Sequence, residues 1–256
     1  MVYNVYKDRG ETPLECLERF VKNDPNLSEE KMTYLGRLDP LAEGVLLLGN
    51  GKDTKQENRE RFFNLDKEYD FAAIFGFATD TYDVLGKVVK EESVEDINIM
   101  DVRKVAMIYE GKREQKYPKY SSKIISKKKI LKDKESNSEF DLEKALIKDI
   151  TIYQLELKRL ETLTHKKLFW RLFTDISKVN GEFRQKEILA LWKDILLKNP
   201  ENKIYLGHFN AHVSSGTYIR SLVNDMGATL GCGATTLSIK RNRVGDYKIE
   251  DSIKIK

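Results

Sequence analysis

The stretch "GRLDPLAEGVLLL", Gly36 to Leu48, decides how the rest of the chain is read. Its second half is an aliphatic run, the pattern of a buried strand. Its first half sets a carboxylate, Asp39, between a Gly-Arg turn and that run. An acid beside a core segment costs free energy unless it is paired or used. Asp39-Pro40 stops a helix before it starts, and Gly44 interrupts the aliphatic run. Asp39 therefore needs a partner from elsewhere in the chain.

"GTYIRSLVNDMGATLG" offers one candidate. Ile219, Leu222, Val223, Met226 and Leu230 form the apolar stripe of an amphipathic helix. Arg220 sits one residue beyond Ile219, close to that stripe, where a guanidinium is expensive unless a carboxylate meets it. Pairing with Asp39 would hold the acid ionised, and an ionised carboxylate in a shielded site is a usable nucleophile. Pairing of Arg220 with Asp225 on its own helix, or simple snorkelling, are the competing readings. Tyr69, at the start of the strand "KEYDFAAIFGF" (Lys67–Phe77), is a third polar site in an apolar frame; taken alone it also reads as core.

Length and composition bound the rest. The chain has 256 residues, enough for a sizeable core, and a formal net charge of +4. Charge distribution is more telling than the total. Between Lys112 and Lys134, eight further Lys and Arg residues face only Glu114 and Asp133, with Tyr117 and Tyr120 among them. Such a segment suits a phosphate backbone plus base stacking, although a solvated charged loop has the same composition. Cys16 and Cys232 lie far apart, and His165, His208 and His212 lack ligand spacing, so no metal is expected. No signal peptide or membrane-spanning stretch is read, so the expected compartment is the cytoplasm.

The remaining elements mix irregularly. Thr12, Pro13 and Glu15 open a helix with a capping box, its apolar stripe being Leu14, Leu17, Phe20 and Val21. A helix is read over Asp101–Tyr109, a mobile loop over Ser136–Phe140, and strands over "ITIYQLELKRL", "KIYLGHFNAHVSS" and "TTLSIKRNRVGDYKI". Residues 166–198 read as an inserted helical hairpin broken by "VNGEF". The fold class is α+β, with a mixed, mainly antiparallel sheet flanked by helices.

Several stretches in order resemble the TruB-type tRNA pseudouridine synthase family. "GRLDPLAEGVLLL" is similar to its catalytic-aspartate motif, and "KEYDFAAIFGFATDTYDVLGKV" to its strand and "TDTxDxxG" loop, matched by Thr79, Asp80, Thr81, Asp83 and Gly86. "YPKYSSKI" resembles its "PPxYSAxK" segment, "YKDRGETPLECL" its opening segment, and the block from Ser214 to Tyr247 its C-terminal catalytic part. The resemblance runs from about Tyr6 to Ile253, with the helical hairpin as the main gap. It departs at Tyr34, where many members carry histidine, at Tyr117, which replaces a proline, and at Asp8, which follows Lys7 in place of another.

The resemblance implies a pseudouridine synthase fold and the isomerisation of uridine in tRNA, at position 55 of the T arm. Asp39 corresponds to the nucleophile, Tyr69 to the residue that stacks on the base and moves the C5 proton, and Arg220 to the partner of the aspartate. Tyr34, Lys67, Tyr120, Lys123 and Ile239 are the implied substrate contacts. The uridine must flip out of its folded arm to be reached. Asp39 then attacks C1′ or the ring, or helps to form a glycal. No cofactor is expected for a redox-neutral isomerisation. The implied protein is a monomeric, single catalytic domain over residues 1–256, with residues 112–134 gripping RNA and no C-terminal PUA-type module. The hairpin over residues 166–198 either takes that module's place in part or is simply packed onto the body by Phe169, Trp170, Phe173 and Trp192. Two alternatives share these features: the same chemistry on ribosomal or messenger RNA, and a non-catalytic RNA-binding protein that assists tRNA folding.

Overall fold

The computed structural model describes residues 1–27, 29–92, 94, 97–118 and 146–255. The aliphatic run of "GRLDPLAEGVLLL" lies in strand β3 (Ala42–Asn50), one of nine strands in the main sheet among the described residues. Beside β3 lie β1 (Val2–Lys7) and β10 (Ala234–Val244). The sheet continues through β4 (Lys67–Phe75), β9 (Lys203–Val213), β8 (Ile147–Thr164) and β7 (Gly111–Lys116), in the order β1-β3-β10-β4-β9-β8-β7. Strand β2 (Met32–Tyr34) joins β3, and β11 (Tyr247–Lys248) joins β10. The β3–β10 ladder is parallel and the other ladders of this sheet are antiparallel. Strands β5 (Phe77–Thr79) and β6 (Val88–Glu91) form a separate ribbon.

The unbroken aliphatic pattern has a direct cause: β3 is covered on both faces, as continuous apolar strands are. Leu46 and Leu48 pack with Val5, Cys16 and Phe20, the last two from helix α1 (Pro13–Asn23). Val45 and Leu47 pack on the other face with Phe62 of helix α2 (Gln56–Phe63). Gly44 opposes Arg241 in the parallel ladder at φ +105°, and a Cβ there would lie 2.3 Å from the Arg241 carbonyl oxygen. The glycine that interrupts the run is thus what lets β10 approach β3.

Helix α1 has the expected capping box between Thr12 and Glu15, but Leu14 is 53% exposed and stands outside the buried stripe. It falls on the solvent side of the helix, whose buried face is centred on Cys16 and Phe20. Helix α3 (Ile99–Ile108) and helix α6 (Ile219–Thr229) contribute to the large central core. The strand expected over residues 67–77 breaks at Gly76, which has φ +95° and separates β4 from β5. Between β8 and β9 stand α4 (His165–Ile176) and α5 (Gln185–Leu196), with Leu168, Leu172, Ile188 and Trp192 fully buried against the body. Trp170 and Phe173 lie on the outer side, 55% and 43% exposed, so they do not take part in that packing. The basic segment opens as edge strand β7 rather than as a loop. Residues 119–145, including Tyr120, Lys123 and the stretch Ser136–Phe140, lie outside the described residues. No described helix is long and apolar enough to cross a membrane.

Candidate active site

Asp39 sits in the turn that feeds β3, where the Ala42 amide donates to its carbonyl at 2.9 Å. The next residue is held from below. Lys7 is fully buried, and its Nζ donates to the carbonyls of Asp8 (3.0 Å), Pro40 (3.2 Å) and Ala42 (2.6 Å). The Gly10 amide also donates to Pro40 O at 2.9 Å. Burial pulls the Lys7 ammonium down to about 8, so it remains largely charged at neutral pH. A cation solvated by three carbonyls thus fixes the turn and leaves the Asp39 side chain 40% exposed.

Arg220 meets it from α6. Its Nη2 donates to Asp39 Oδ1 at 3.1 Å, and its Nε lies 2.8 Å from Oδ2. Its Nη1 donates to Thr81 O at 2.9 Å and stands 3.4 Å from Asp83 Oδ2. The buried guanidinium therefore faces two carboxylates. Burial alone would lower its pKa, but Asp39 and Asp83 outweigh that and raise it. Burial raises the pKa of Asp83, while Arg220 opposes that rise. Asp83 Oδ1 also accepts from Thr81 Oγ1 (2.7 Å) and the Leu85 amide (3.1 Å). Asp83 thus both closes its own turn and partners Arg220, a role that its sequence context did not disclose. Asp225, the competing partner, makes its contact with Asn224 instead.

These groups open into a cleft of about 650 Å³, within the range of small-ligand sites. Asp39, Arg220, Tyr69, Ile239, Lys67 and Tyr34 all line it. They come from α6, β2, β4, β10 and the turn before β3, so the sheet order gathers them. Lys67 is anchored by the Leu65 carbonyl and stands 3.4 Å from Phe63 O. Of the residues expected at the site, Tyr120 and Lys123 cannot be placed, since they lie outside the described residues.

Other lining residues were missed in the sequence. Arg59, Phe62 and Phe63 arrive on α2, a short charged helix with too little apolar pattern to be read. Arg37 is exposed and lies two positions before Asp39; it was legible within "GRLD" itself. Arg241 is buried and donates to Val45 O (2.8 Å) and Arg37 O (2.9 Å). Tyr117 and Tyr218 meet edge to face, with ring centroids 5.5 Å apart. The charged lining comprises Arg37, Arg59, Lys67, Arg220 and Arg241 against one carboxylate, Asp39. Such a balance makes the lining net cationic, which favours a polyanionic ligand. Among the described residues no group of three or more His, Cys, Asp and Glu side chains could hold a metal ion.

The fold is shared with solved structures. A Cbf5–Nop10–Gar1 complex superposes with a TM-score of 0.59 at 20% identity, covering 99% of this chain and 52% of that one. An H/ACA RNP bound to a substrate RNA containing 2'-deoxyuridine gives 0.56, also at 20% identity, covering 99% and 50%. The α+β architecture of this chain is therefore the one found in these structures. Residues 25–169 match the TruB family pseudouridylate synthase (N terminal domain). The tRNA pseudouridine synthase B of Endomicrobium trichonymphae is 30% identical over 230 residues, 90% of this chain and 80% of the relative. That of Thermosipho melanesiensis is 29% identical over 257 residues, covering 98% and 66%. The tRNA pseudouridine synthase 4 of Saccharomyces cerevisiae is 28% identical over 255 residues, covering 88% and 63%. The chain thus spans just under two thirds of the length of the last two. It belongs to the TruB family of pseudouridylate synthases.

Proposed function

We propose that this chain isomerises uridine to pseudouridine in tRNA, at position 55 of the T arm. The observation that carries the reading is the half-exposed Asp39 carboxylate, held at two points by a buried arginine inside a cationic cleft. Membership of the family and the names of the relatives support the reaction class and the tRNA substrate.

In this reading the uridine swings out of the arm and enters the cleft, with Tyr69 and Ile239 against its faces. Asp39 acts as the nucleophile, and Arg220 keeps it ionised and aimed. In the C1′ route the Asp39 oxygen takes the bond that N1 gives up, the freed base turns within the cleft, and the C5–C1′ bond forms as the ester bond breaks and the carboxylate is restored. The proton leaves C5 through Tyr69, and N1 takes one up, so the isomerisation balances without oxidant, reductant or metal. Attack at C1′, attack on the ring and passage through a glycal all use this arrangement. Arg37, Arg59 and Lys67 at the cleft meet the flanking phosphates, and the basic segment 112–134 grips the arm. The protein acts as a cytoplasmic monomer, with the whole chain serving one catalytic site.

The test is single-nucleotide mapping of pseudouridine in an unmodified tRNA transcript treated with the protein or with Asp39→Ala. A signal at the T-arm uridine, absent with the variant, is expected. A signal only on ribosomal or messenger RNA would move the substrate, and a signal that survives Asp39→Ala would remove Asp39 from the chemistry. Assisted tRNA folding that persists in Asp39→Ala, without isomerisation by either protein, would mark a non-catalytic RNA binder.

A further inference from the structure

The α4–α5 pair reaches the Asp39–Arg220 pair from two sides, each time through a single intervening loop. On one side is the loop from Thr79 to Gly86. Trp192, fully buried on α5, donates from Nε1 to Val84 O at 3.2 Å. Arg184, which caps α5, donates from Nη1 to Asp80 Oδ2 at 3.0 Å, while Asp80 Oδ1 accepts the Lys87 amide at 2.8 Å. The same loop supplies both Thr81 O and Asp83 to Arg220. On the other side, the Asn180 amide between the helices donates to Gly10 O at 3.4 Å, and Gly10 N donates to Pro40 O beside Asp39. Arg9 strengthens this side by pairing with Asp175 at 2.9 Å and donating to Leu237 O at 2.7 Å.

Backbone strain falls on the same contact. Among the described residues, Tyr82 (φ 65°) and Arg184 (φ 62°) are the non-glycine residues in the left-handed region. One lies in the loop that holds Arg220, and the other on the helix that holds the loop. Non-glycine residues stay in such conformations only where their surroundings over-determine them.

We propose that the α4–α5 hairpin positions the catalytic pair, with Trp192 and Arg184 as positioning residues acting on Arg220 through the Thr79–Gly86 loop. The hairpin's exposed outer face, which carries Trp170, takes no part. As an effect on catalysis, the proposal rests on the synthase reading above; as an effect on loop order, it does not.

The experiment compares the full chain with Trp192→Phe, which keeps a buried ring but loses the donor, and with Arg184→Gly, which suits the backbone but loses the guanidinium. Arg184→Lys serves as the conservative rescue and Trp170→Ala as the control. Single-turnover rate, KM for tRNA and amide hydrogen exchange of residues 80–86 are measured. Trp192→Phe and Arg184→Gly are each expected to lower the rate ~10-fold at unchanged KM, since small misplacements of reacting groups are costly. Both should speed exchange in the loop, Arg184→Lys should recover most of the rate, and Trp170→Ala should match the parent. Unchanged loop exchange, or a raised KM at unchanged kcat, would overturn the proposal. If the unsubstituted chain isomerises no RNA, the synthase reading fails by itself. Loop exchange then decides the positioning role alone, faster exchange supporting it and unchanged exchange ending it.

Discussion

Arg220 Nη2 donates to Asp39 Oδ1 at 3.1 Å although 181 positions separate the two residues. The same guanidinium also serves Thr81 O and faces the buried Asp83. Arg220→Ala would leave Asp83 as a buried acid without its cation, a loss of about 3–5 kcal/mol by analogy with other broken buried pairs. Arg220→Lys keeps a charge but cannot contact Asp39 and Thr81 in one plane. It is expected to keep much of the stability and lose about 10²-fold in single-turnover rate. Urea unfolding and rapid quench on tRNA would check both. A lysine variant with the full rate would mean that charge alone suffices.

Gln115 fixes the start of α6. Its Oε1 accepts the Tyr218 amide at 2.8 Å and its Nε2 donates to Tyr218 O at 3.1 Å, two residues before Arg220. Gln115→Leu strips both partners from a backbone unit beside a buried side chain. A loss of about 1–3 kcal/mol is expected in denaturant unfolding, with a fall in rate because the helix entry carries Arg220.

Lys7 makes stability depend on pH in a defined direction. Its native pKa is lowered to about 8 from the ordinary lysine value of 10.5. Between those values the unfolded chain holds more protons than the native one, so this group's contribution to stability rises with pH. Below pH 8 the cost of burying the cation is present in full, and above it that cost is progressively relieved. The stability of the parent minus that of Lys7→Met should therefore rise by about 1 kcal/mol between pH 8 and pH 9. Urea midpoints of both proteins at each pH measure it. A difference that stays flat or falls contradicts the assignment.

Gly44→Ala meets two obstacles at once. The residue has φ +105°, and the new Cβ would lie 2.3 Å from Arg241 O. The β3–β10 ladder must separate or the turn must rebuild, at a cost of at least about 2 kcal/mol. Because Ile239 pairs with Ala42 in that ladder, the cleft should deform as well. A thermal melt and tRNA binding would register the two effects.

Much of this was legible from local pattern. The alternation and runs of β3, β4 and β9, the capping box of α1 and the stripe of α6 follow from residue spacing alone. The α4–α5 helices were legible for the same reason, at residues 165–176 and 185–196. Helix α2 was not: Phe62 is its single buried residue, so its helical state depends on what it packs against. Leu14 was assigned to a buried stripe because hydrophobicity does not say which side of a helix meets the sheet.

The site divides along the same line. An acid in an apolar frame and an arginine near an apolar stripe are anomalies visible in one dimension, because each carries its own desolvation cost. Their chain neighbours therefore pointed to Asp39 and Arg220 before any contact was known. Only tertiary structure could decide which partner each anomaly takes. It paired Arg220 with Asp39 and Asp83 rather than Asp225, since pairing depends on the order of strands and not on separation along the chain. Arg59 and Tyr218 at the cleft, and Trp192 behind it, carry no such local anomaly, and Tyr117 was marked only by the basic segment around it. A tyrosine at a helix entry or a tryptophan on a helix satisfies its local rules whether or not a site stands nearby, and only the packed sheet brings them to it.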